Sequence, residues 1–399
     1  MYKLYCRLYQ LVFRIAMYLL PWREPKLIQG KNSLSQLPVL LEAEQIKHIL
    51  LVTDQTIKHL DFFNKLTEAL ASKHIQFFIF DEVIPNPTIE NIEAGRRAFL
   101  DKKCHAIVAI GGGSVIDCAK GIAARIAKPN KTVPELKGQL KIRKEVPKLF
   151  AIPTTAGTGS EATVAAVISN SETLEKYPIN DLVLIPYVAI LDPIITIKLP
   201  PMITSTTGMD ALTHAVEAYI GKSNTPLTRQ YSLEAVRIIF SYLEEAYKDG
   251  KNIEARAKMQ LAAYKAGVAF TRAYVGNIHA IAHTLGGYYQ IPHGLANAVI
   301  MPYILRFYGN KVYKALAELA DAAGIASEEM TEQHKAEAFI EAIEKMNKNM
   351  NIPTKLDGIR LEDIPTLVKR ARSEANPLYP VPIIMNEEEM TSIYLALRS

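Results

Sequence analysis

"AIVAIGGGSVIDCAKGIAARIA", residues 106–127, is the stretch that decides the fold. A short apolar run leads into three successive glycines, and apolar residues then follow at helical spacing. This order predicts a buried parallel strand, a tight turn and a helix. The backbone N–H groups of glycines at a helix start, together with the positive end of the helix dipole, hold a phosphate well. The spacing matches neither G-x-G-x-x-G nor a Walker loop, so a tight turn without a ligand stays open.

The same alternation of strand and helix extends from about residue 25 to residue 200, and it predicts an α/β domain with a parallel sheet covered by helices on both faces. After residue 200 the strand pattern stops and long helical stretches follow, as in 232–248. We therefore expect a leader (1–24), an α/β domain (25–200) and an all-helical domain (201–399). The predicted strands are 48–54, 75–83, 106–114, 148–155 and 188–193, and the helices between them include 56–72, 90–102 and 114–127.

A second glycine- and threonine-rich loop, "IPTTAGTGSEAT" (152–163), also follows a predicted strand. Two such loops at the carboxyl ends of parallel strands face one crevice, where α/β folds bind nucleotides. Asp54 ends the strand 48–54, and its carboxylate can accept from the ribose hydroxyls of an adenosine and repel a 2′-phosphate, which favours NAD over NADP. The alternatives are a helix cap at Asp54 and a threonine-rich cap without a ligand in the loop.

Two helical segments carry histidines with the spacing of metal ligands. "TTGMDALTHAVEAYIG" (206–221) places Asp210 and His214 four residues apart, and "HAIAHTLGGYYQIPHG" (279–294) does the same with His279 and His283, followed by His293. One carboxylate plus imidazoles suits Fe²⁺ or Zn²⁺. Pairs with this spacing are also common on helices without a metal, and the spacing does not tell which histidines join Asp210 and His214.

The charge distribution argues against nucleic-acid binding. Residues 1–31 contain six basic residues and one acidic residue, Glu24, and so carry the whole net charge of +5. The rest of the chain has a net charge of zero. A nucleic-acid binder would carry basic stripes through its domains. The three cysteines, Cys6, Cys104 and Cys118, show no C-x-x-C spacing, which is typical of a protein in a reducing compartment. We therefore expect a cytoplasmic protein.

The leader, "MYKLYCRLYQLVFRIAMYLLPW" (1–22), predicts an amphipathic helix that ends near Pro21. On a helix Lys3, Arg7, Gln10 and Arg14 fall within about 60° of one another, and nearly everything else is apolar. A narrow basic stripe beside a wide apolar face suits a helix that lies in a membrane interface. The segment is too short and too charged to span a bilayer. The alternatives are packing against the protein's own body or a partner subunit, and a cleaved targeting segment.

From about residue 25 to the end, the chain resembles a known family, the iron-containing (group III) alcohol dehydrogenases. The resemblance implies an α/β dinucleotide-binding domain and an all-helical metal-binding domain in a dehydroquinate synthase-like architecture, with the active site in the cleft between them. The matching segments are "VTDQ", "IPNPT", "GGGSVIDCAK", "IPTTAGTGSEAT", "KYPI", "TGMDALTHAVEAY" and "HAIAHTLGGYYQIPHGLANAVIMP".

Matched position by position, the resemblance implies a role for each site residue. The implied metal ligands are Asp210, His214, His279 and His293, whereas His283 matches a histidine beside the nicotinamide. Lys120 belongs to the same motifs, and a structural role is equally open for it. The implied NAD-binding residues are Asp54, Asn86, Gly112, Gly113, Ser114, Asp117, Thr154, Thr155, Thr163 and Lys176.

The implied activity is the metal-dependent transfer of a hydride between a primary alcohol, or its aldehyde, and NAD(H), in a homodimer or larger homo-oligomer. The implied metal is Fe²⁺, with Zn²⁺ as the alternative. His283 could relay the proton, and a role in supporting the site or in packing is equally open for it. A polyol or hydroxyacid dehydrogenase of the same fold is the nearest alternative, with Arg272 as a candidate partner of a substrate carboxylate. A metal hydrolase would leave the two glycine loops and Asp54 without a purpose. A membrane-tethered metal- and nucleotide-binding protein without turnover is the alternative of another class.

Overall fold

A computed structural model describes all residues from Met1 to Ser399, which form two compact units. The α/β unit is Trp22–Leu199, and the helical unit joins Pro200–Ser399 to Met1–Pro21. The sequence predicts the leader (1–24) as a segment of its own. Its residues 1–21 belong to the helical unit, with helix α1 at Tyr2–Tyr18, and its last three residues belong to the α/β unit. Among the helices, none combines the length and apolarity needed to cross a membrane.

The α/β unit is built on a six-stranded parallel sheet with the order β1-β9-β6-β4-β2-β3, which confirms the predicted fold class. All five predicted strands lie in this sheet. Strand β1 at its edge and a second sheet, β5-β8-β7, were not predicted. The strands are β1 (Lys26–Gln29), β2 (His48–Val52), β3 (Gln76–Phe80), β4 (Ala106–Gly111), β5 (Gly138–Gln139), β6 (Lys148–Pro153), β7 (Ala165–Asn170), β8 (Glu175–Asn180) and β9 (Val188–Leu191).

Helices cover both faces of the large sheet. Successive residues of each strand point to opposite sides, so a strand of apolar residues contributes to an apolar core on each face. On β2, Leu50 and Val52 pack in one apolar core, while Ile49 and Leu51 pack in the other. The predicted helix 56–72 is interrupted around His59, so it forms two helices. The helices of this unit are α2 (Leu37–Ala43), α3 (Gln55–Lys58), α4 (Asp61–Ser72), α5 (Ile89–Asp101) and α6 (Gly113–Ala127).

The helical unit is organised around α7, whose residues from Met209 to Ile220 are all buried, the polar ones included. Helices α8, α9 and α11 pack against α7. The approach of α11 depends on Gly294, where a Cβ atom would lie 2.3 Å from the carbonyl oxygen of Thr206. The helices are α7 (Pro201–Ile220), α8 (Pro226–Lys248), α9 (Ile253–Ala273), α10 (Asn277–Tyr289), α11 (His293–Tyr308), α12 (Tyr313–Ala323), α13 (Glu332–Asn349), α14 (Ile364–Ala375) and α15 (Glu387–Leu397).

Candidate metal centre and cofactor loops

The helical unit brings the four predicted metal ligands together from three helices. Asp210 and His214 lie on α7, His279 on α10, and His293 is the first residue of α11. One donor atom from each lies within 4.8 Å of the others. The Nε2 atoms of His279 and His293 are 3.9 and 3.5 Å from Asp210 Oδ1. Donors about 2.1 Å from a tetrahedral metal are about 3.4 Å apart, so a small closure of this group fits one Fe²⁺ or Zn²⁺.

A buried carboxylate orients one of these imidazoles. The Nδ1–H of His279 donates to Glu217 Oε2 at 2.6 Å, which leaves the Nε2 lone pair facing Asp210. The backbone N–H groups of Gly276 and Ile278 also donate to Glu217, at 2.7 and 2.8 Å. Burial raises the pKa of Glu217 to about 7, although these N–H donors oppose the shift. The sequence analysis missed Glu217, which lies three residues after His214 on α7 and so shares its face.

Asn297 contacts three of the four candidate ligands. It is fully buried on α11, and its Nδ2–H donates to Asp210 Oδ1 at 2.6 Å. The same nitrogen lies 3.2 Å from the Nε2 atoms of His279 and of His293. The sequence analysis missed this residue too, although it follows His293 by four residues and therefore lies on the same helix face. Its contacts indicate that it holds the carboxylate of Asp210 in place.

Replacing Asn297 by alanine is expected to weaken metal binding by about 10- to 100-fold, because the groups around metal ligands contribute to affinity on this scale. The matched control is Asn347→Ala. That asparagine is also buried, and its amide donates to the Ala298 carbonyl of α11 at 2.8 Å. Calorimetric titration of the metal-free proteins with Zn²⁺ measures both affinities. An equal loss in the two variants would mean that Asn297 acts only through packing.

His283 lies beside the four-ligand group without being part of it. Its ring stacks on that of His293, with centroids 5.1 Å apart. Its Nδ1–H donates to Glu374 Oε1 at 2.6 Å, and the hydroxyl of Tyr379 donates to the same oxygen at 2.8 Å. The two histidines of α10 therefore have different hydrogen-bond partners, Glu217 and Glu374. Glu374 was not predicted, because 91 residues separate it from His283 and no short motif connects them.

In the α/β unit the two glycine loops follow the neighbouring strands β4 and β6 and contact each other. A Cβ atom at Gly113 would lie 2.5 Å from Thr158 Cγ2, whereas one at Gly112 would lie 3.5 Å from Thr155 Cγ2. Glycine at position 113 therefore allows the close approach of the loops. The N-terminus of α6 begins at this point, so its backbone N–H groups are available for a pyrophosphate.

Three more predicted NAD-binding residues join the first loop. The backbone N–H of Asn86 donates to Ser114 Oγ at 3.2 Å, and Lys176 Nζ donates to Asn86 Oδ1 at 2.9 Å. Asn86 adopts the left-handed conformation with φ 57°, which asparagine tolerates better than most residues. The structure thus brings together residues from 86, 112–114 and 176, which are widely separated in the sequence.

The other predicted NAD-binding residues have contacts within the protein. Asp54 caps α3 by accepting from the N–H of Ile57 at 2.9 Å, which is the alternative foreseen for it. The carboxylate of Asp117 accepts from Ser160 Oγ at 2.5 Å and from the N–H of Val167 at 3.1 Å. Thr154 is buried. Contacts of these residues with a cofactor remain predictions.

Lys120 is fully buried and holds the second loop against α6. Its Nζ donates to the carbonyl oxygens of Thr163 and Ala165, both at 2.8 Å, and to Thr163 Oγ1 at 2.9 Å. Burial lowers its pKa to about 8, although Asp117 and Glu161 favour the charged form. All three N–H groups of the Lys120 ammonium are therefore hydrogen-bonded within the protein. These bonds support a structural role for Lys120 and for its partner Thr163.

Comparisons with known proteins agree with this arrangement. A family model described as iron-containing alcohol dehydrogenase matches residues 24–193, and one described as the C-terminal part of the Fe-containing alcohol dehydrogenase family matches residues 204–397. Alcohol dehydrogenase 4 of Saccharomyces cerevisiae is 36% identical over 368 residues, 91% of this chain and 94% of that protein. The NAD-dependent methanol dehydrogenase of Bacillus methanolicus is 36% identical over 349 residues, 87% and 91% of the two chains. A crystal structure of 1,3-propanediol oxidoreductase superposes with a TM-score of 0.90 and 34% identity, over 94% of this chain and 99% of the other.

Proposed function

The chain belongs to the iron-containing alcohol dehydrogenase family and is an NAD-dependent oxidoreductase, and we propose that it interconverts primary alcohols and aldehydes at Asp210, His214, His279 and His293. The observation that carries the proposal is the convergence of one carboxylate and three imidazoles within 4.8 Å of one another. This donor set suits Fe²⁺ or Zn²⁺, whereas Mg²⁺ prefers oxygen ligands. We propose Fe²⁺ because the family is iron-containing.

The chain's own residues would prepare the reaction in distinct ways. A bound divalent metal would supply Lewis acidity toward the oxygen of the alcohol or aldehyde, and bound NAD would supply the hydride acceptor or, in its reduced form, the hydride donor. Glu217 keeps Nε2 of His279 unprotonated and directed at the metal position. His283 holds its Nδ1 proton on Glu374, so its Nε2 is the atom that would take the proton of the alcohol oxygen.

For the cofactor, we propose that the backbone of Gly112 and Gly113 and the hydroxyl of Ser114 bind the pyrophosphate. Lys176, which is held by Asn86, would bind a ribose hydroxyl. Asp54 uses one carboxylate oxygen to cap α3, and the other can accept from the adenosine ribose. Its negative charge would disfavour the 2′-phosphate of NADP.

The test is NADH formation by metal-stripped protein that is reconstituted with Fe²⁺, Zn²⁺ or no metal. The substrates are short primary alcohols, diols and hydroxyacids, each with NAD or NADP. We expect metal-dependent oxidation of a primary alcohol, with NAD preferred over NADP by roughly tenfold or more, which corresponds to about 1.4 kcal/mol. Oxidation of hydroxyacids alone would overturn the primary-alcohol assignment and would direct attention to Arg272, which is half-buried near the end of α9.

We also propose that the enzyme works in the cytoplasm as a homo-oligomer. All three cysteines are free and buried, which agrees with a reducing compartment. The oligomer follows from the family resemblance, and sedimentation velocity of the full chain measures it. A contact of the N-terminal helix with a membrane surface is a separate matter, since it depends on α1 alone.

A further inference from the structure

Helix α1 is docked onto the helical unit by one of its faces. The guanidinium of Arg7 donates to two backbone carbonyl oxygens of the segment 377–382 at 2.7 and 2.9 Å. The amide of Gln10 donates to two further carbonyls of that segment at 3.1 and 2.7 Å. Cys6 and Met17 are buried on the same face. The structure therefore agrees with the alternative that the leader packs against the protein's own body.

This docking changes the meaning of the predicted basic stripe. Of its four members, Arg7 and Gln10 point inward and satisfy backbone carbonyls, while Lys3 and Arg14 remain exposed. Inward polar side chains with these bonds fix the rotation of the helix about its axis. The opposite face of α1 must therefore point to solvent.

That opposite face is apolar and widely exposed. We call it the apolar ridge, and its members are Leu4, Leu8, Leu11, Val12, Ile15 and Leu19, which are between 53% and 77% exposed. Their spacing of three, four and seven residues places them on one side of a helix. Single exposed apolar residues are common, but a contiguous exposed patch marks an interaction site.

The charges and aromatic residues around the apolar ridge indicate its partner. Helix α1 contains no acidic residue, and its cations Lys3 and Arg14 are exposed, although they lie in the same stripe as the docked Arg7 and Gln10. Tyrosines with exposed rings surround it, namely Tyr2, Tyr5 and Tyr18. An exposed apolar face on a helix that carries exposed cations and no acidic residue, with tyrosines that have one apolar and one polar end, fits the boundary between headgroups and acyl chains of an anionic membrane.

A second copy of the chain is a poorer partner for the same ridge. Two α1 helices packed together would place two helices of like charge side by side, each with Lys3, Arg7 and Arg14 and without an acidic residue. Like charges without partners oppose such a pairing. We therefore propose that α1 attaches the enzyme reversibly to an anionic membrane surface, with the apolar ridge at the headgroup boundary. This inference goes beyond the proposed function and does not rest on it.

The test is flotation of the full chain with vesicles. One set contains phosphatidylcholine and phosphatidylglycerol, and the other contains phosphatidylcholine alone. We expect at least tenfold more protein on the anionic vesicles at low salt, and a tenfold or greater loss for Leu8→Asp/Ile15→Asp. Lys3→Ala/Arg14→Ala should lose roughly fivefold for each cation and much of the salt dependence.

Matched controls keep the result interpretable. Val39→Asp/Leu100→Asp introduces the same change at apolar positions of α2 and α5 that are 54% and 48% exposed, and it should bind vesicles like the unchanged protein. The melting temperature and alcohol oxidation of Leu8→Asp/Ile15→Asp should be unchanged, which separates this inference from the proposed function. If the protein bound neither kind of vesicle, the proposal that α1 attaches to a membrane would be overturned. A smaller oligomer for Leu8→Asp/Ile15→Asp in sedimentation without lipid would also overturn it, since that result would assign the ridge to a second copy.

Discussion

Changing Asp210 to asparagine is expected to remove the metal and to lower kcat/KM by about 10³-fold or more, which corresponds to a loss of about 4 kcal/mol or more in transition-state stabilisation. Asp210 is the only anionic donor in the four-ligand group and is 2% exposed. The substitution preserves shape but removes the negative charge, so three neutral imidazoles and an amide would face a divalent cation in a buried site. The new asparagine would also have a single side-chain oxygen, which would have to accept the hydrogen bond of Asn297 and bind the metal.

The matched control for this prediction is Asp181→Asn in the α/β unit. Asp181 is equally buried and accepts from the N–H groups of Ile142 and Arg143 at 2.8 and 3.0 Å. It is not a member of the four-ligand group. Elemental analysis after reconstitution and dialysis measures metal content, and NAD binding shows whether the fold persists. An Asp210→Asn protein that retains one metal per chain would remove this residue from the ligand set.

Four of the five strands predicted from the sequence are buried on both faces of the sheet, and the fifth, β3, is a partly exposed edge strand with a run of aromatic and apolar residues. Strands β2, β4 and β6 read as continuous apolar runs, as expected for the interior of a parallel sheet. Strand β1 has only four residues at the sheet edge and is partly exposed. The hairpin of β7 and β8 contains polar residues and Pro178, so its pattern is weak, and its pairing depends on the rest of the unit.

The candidate site was predictable only in part, because spacing identifies helix faces but not what those faces meet. His279 and His283 share a face of α10, yet one is bonded to Glu217 and the other to Glu374. Spacing left their roles open, and the family resemblance implied the division. Asn297 lies on the face of a predicted ligand and was accessible to the same reasoning, whereas Glu374 comes from a distant part of the chain.

The leader illustrates a different limit. Arginine is mostly exposed in folded proteins, so a basic stripe ordinarily faces outward. Arg7 instead turns inward, because the segment 377–382 presents carbonyl oxygens that need donors once they are covered. Nothing within residues 1–22 reveals this demand, which arises more than 350 residues later in the chain.

Replacing Gly113 by alanine is expected to weaken NAD binding by about 10- to 100-fold, or roughly 1.4 to 2.8 kcal/mol, while metal binding is retained. The new Cβ would lie 2.5 Å from Cγ2 and 2.9 Å from Cβ of Thr158. Rotation of the threonine side chain cannot move its own Cβ, so the two glycine loops must separate. Overpacking of this kind also lowers the free energy of unfolding by about 1 to 3 kcal/mol.

Two further variants decide between loop separation and other causes. In Gly112→Ala the new Cβ would meet Thr155 at an ordinary 3.5 Å, so we expect unchanged urea unfolding, with weaker NAD binding if the pyrophosphate approaches the backbone there. Gly113→Ala/Thr158→Gly removes the clashing atoms and should recover part of the NAD affinity lost in Gly113→Ala. Fluorescence titration with NAD measures each affinity. Unchanged NAD binding in Gly113→Ala would place the cofactor elsewhere, because loops separated at this point could not hold its pyrophosphate as before.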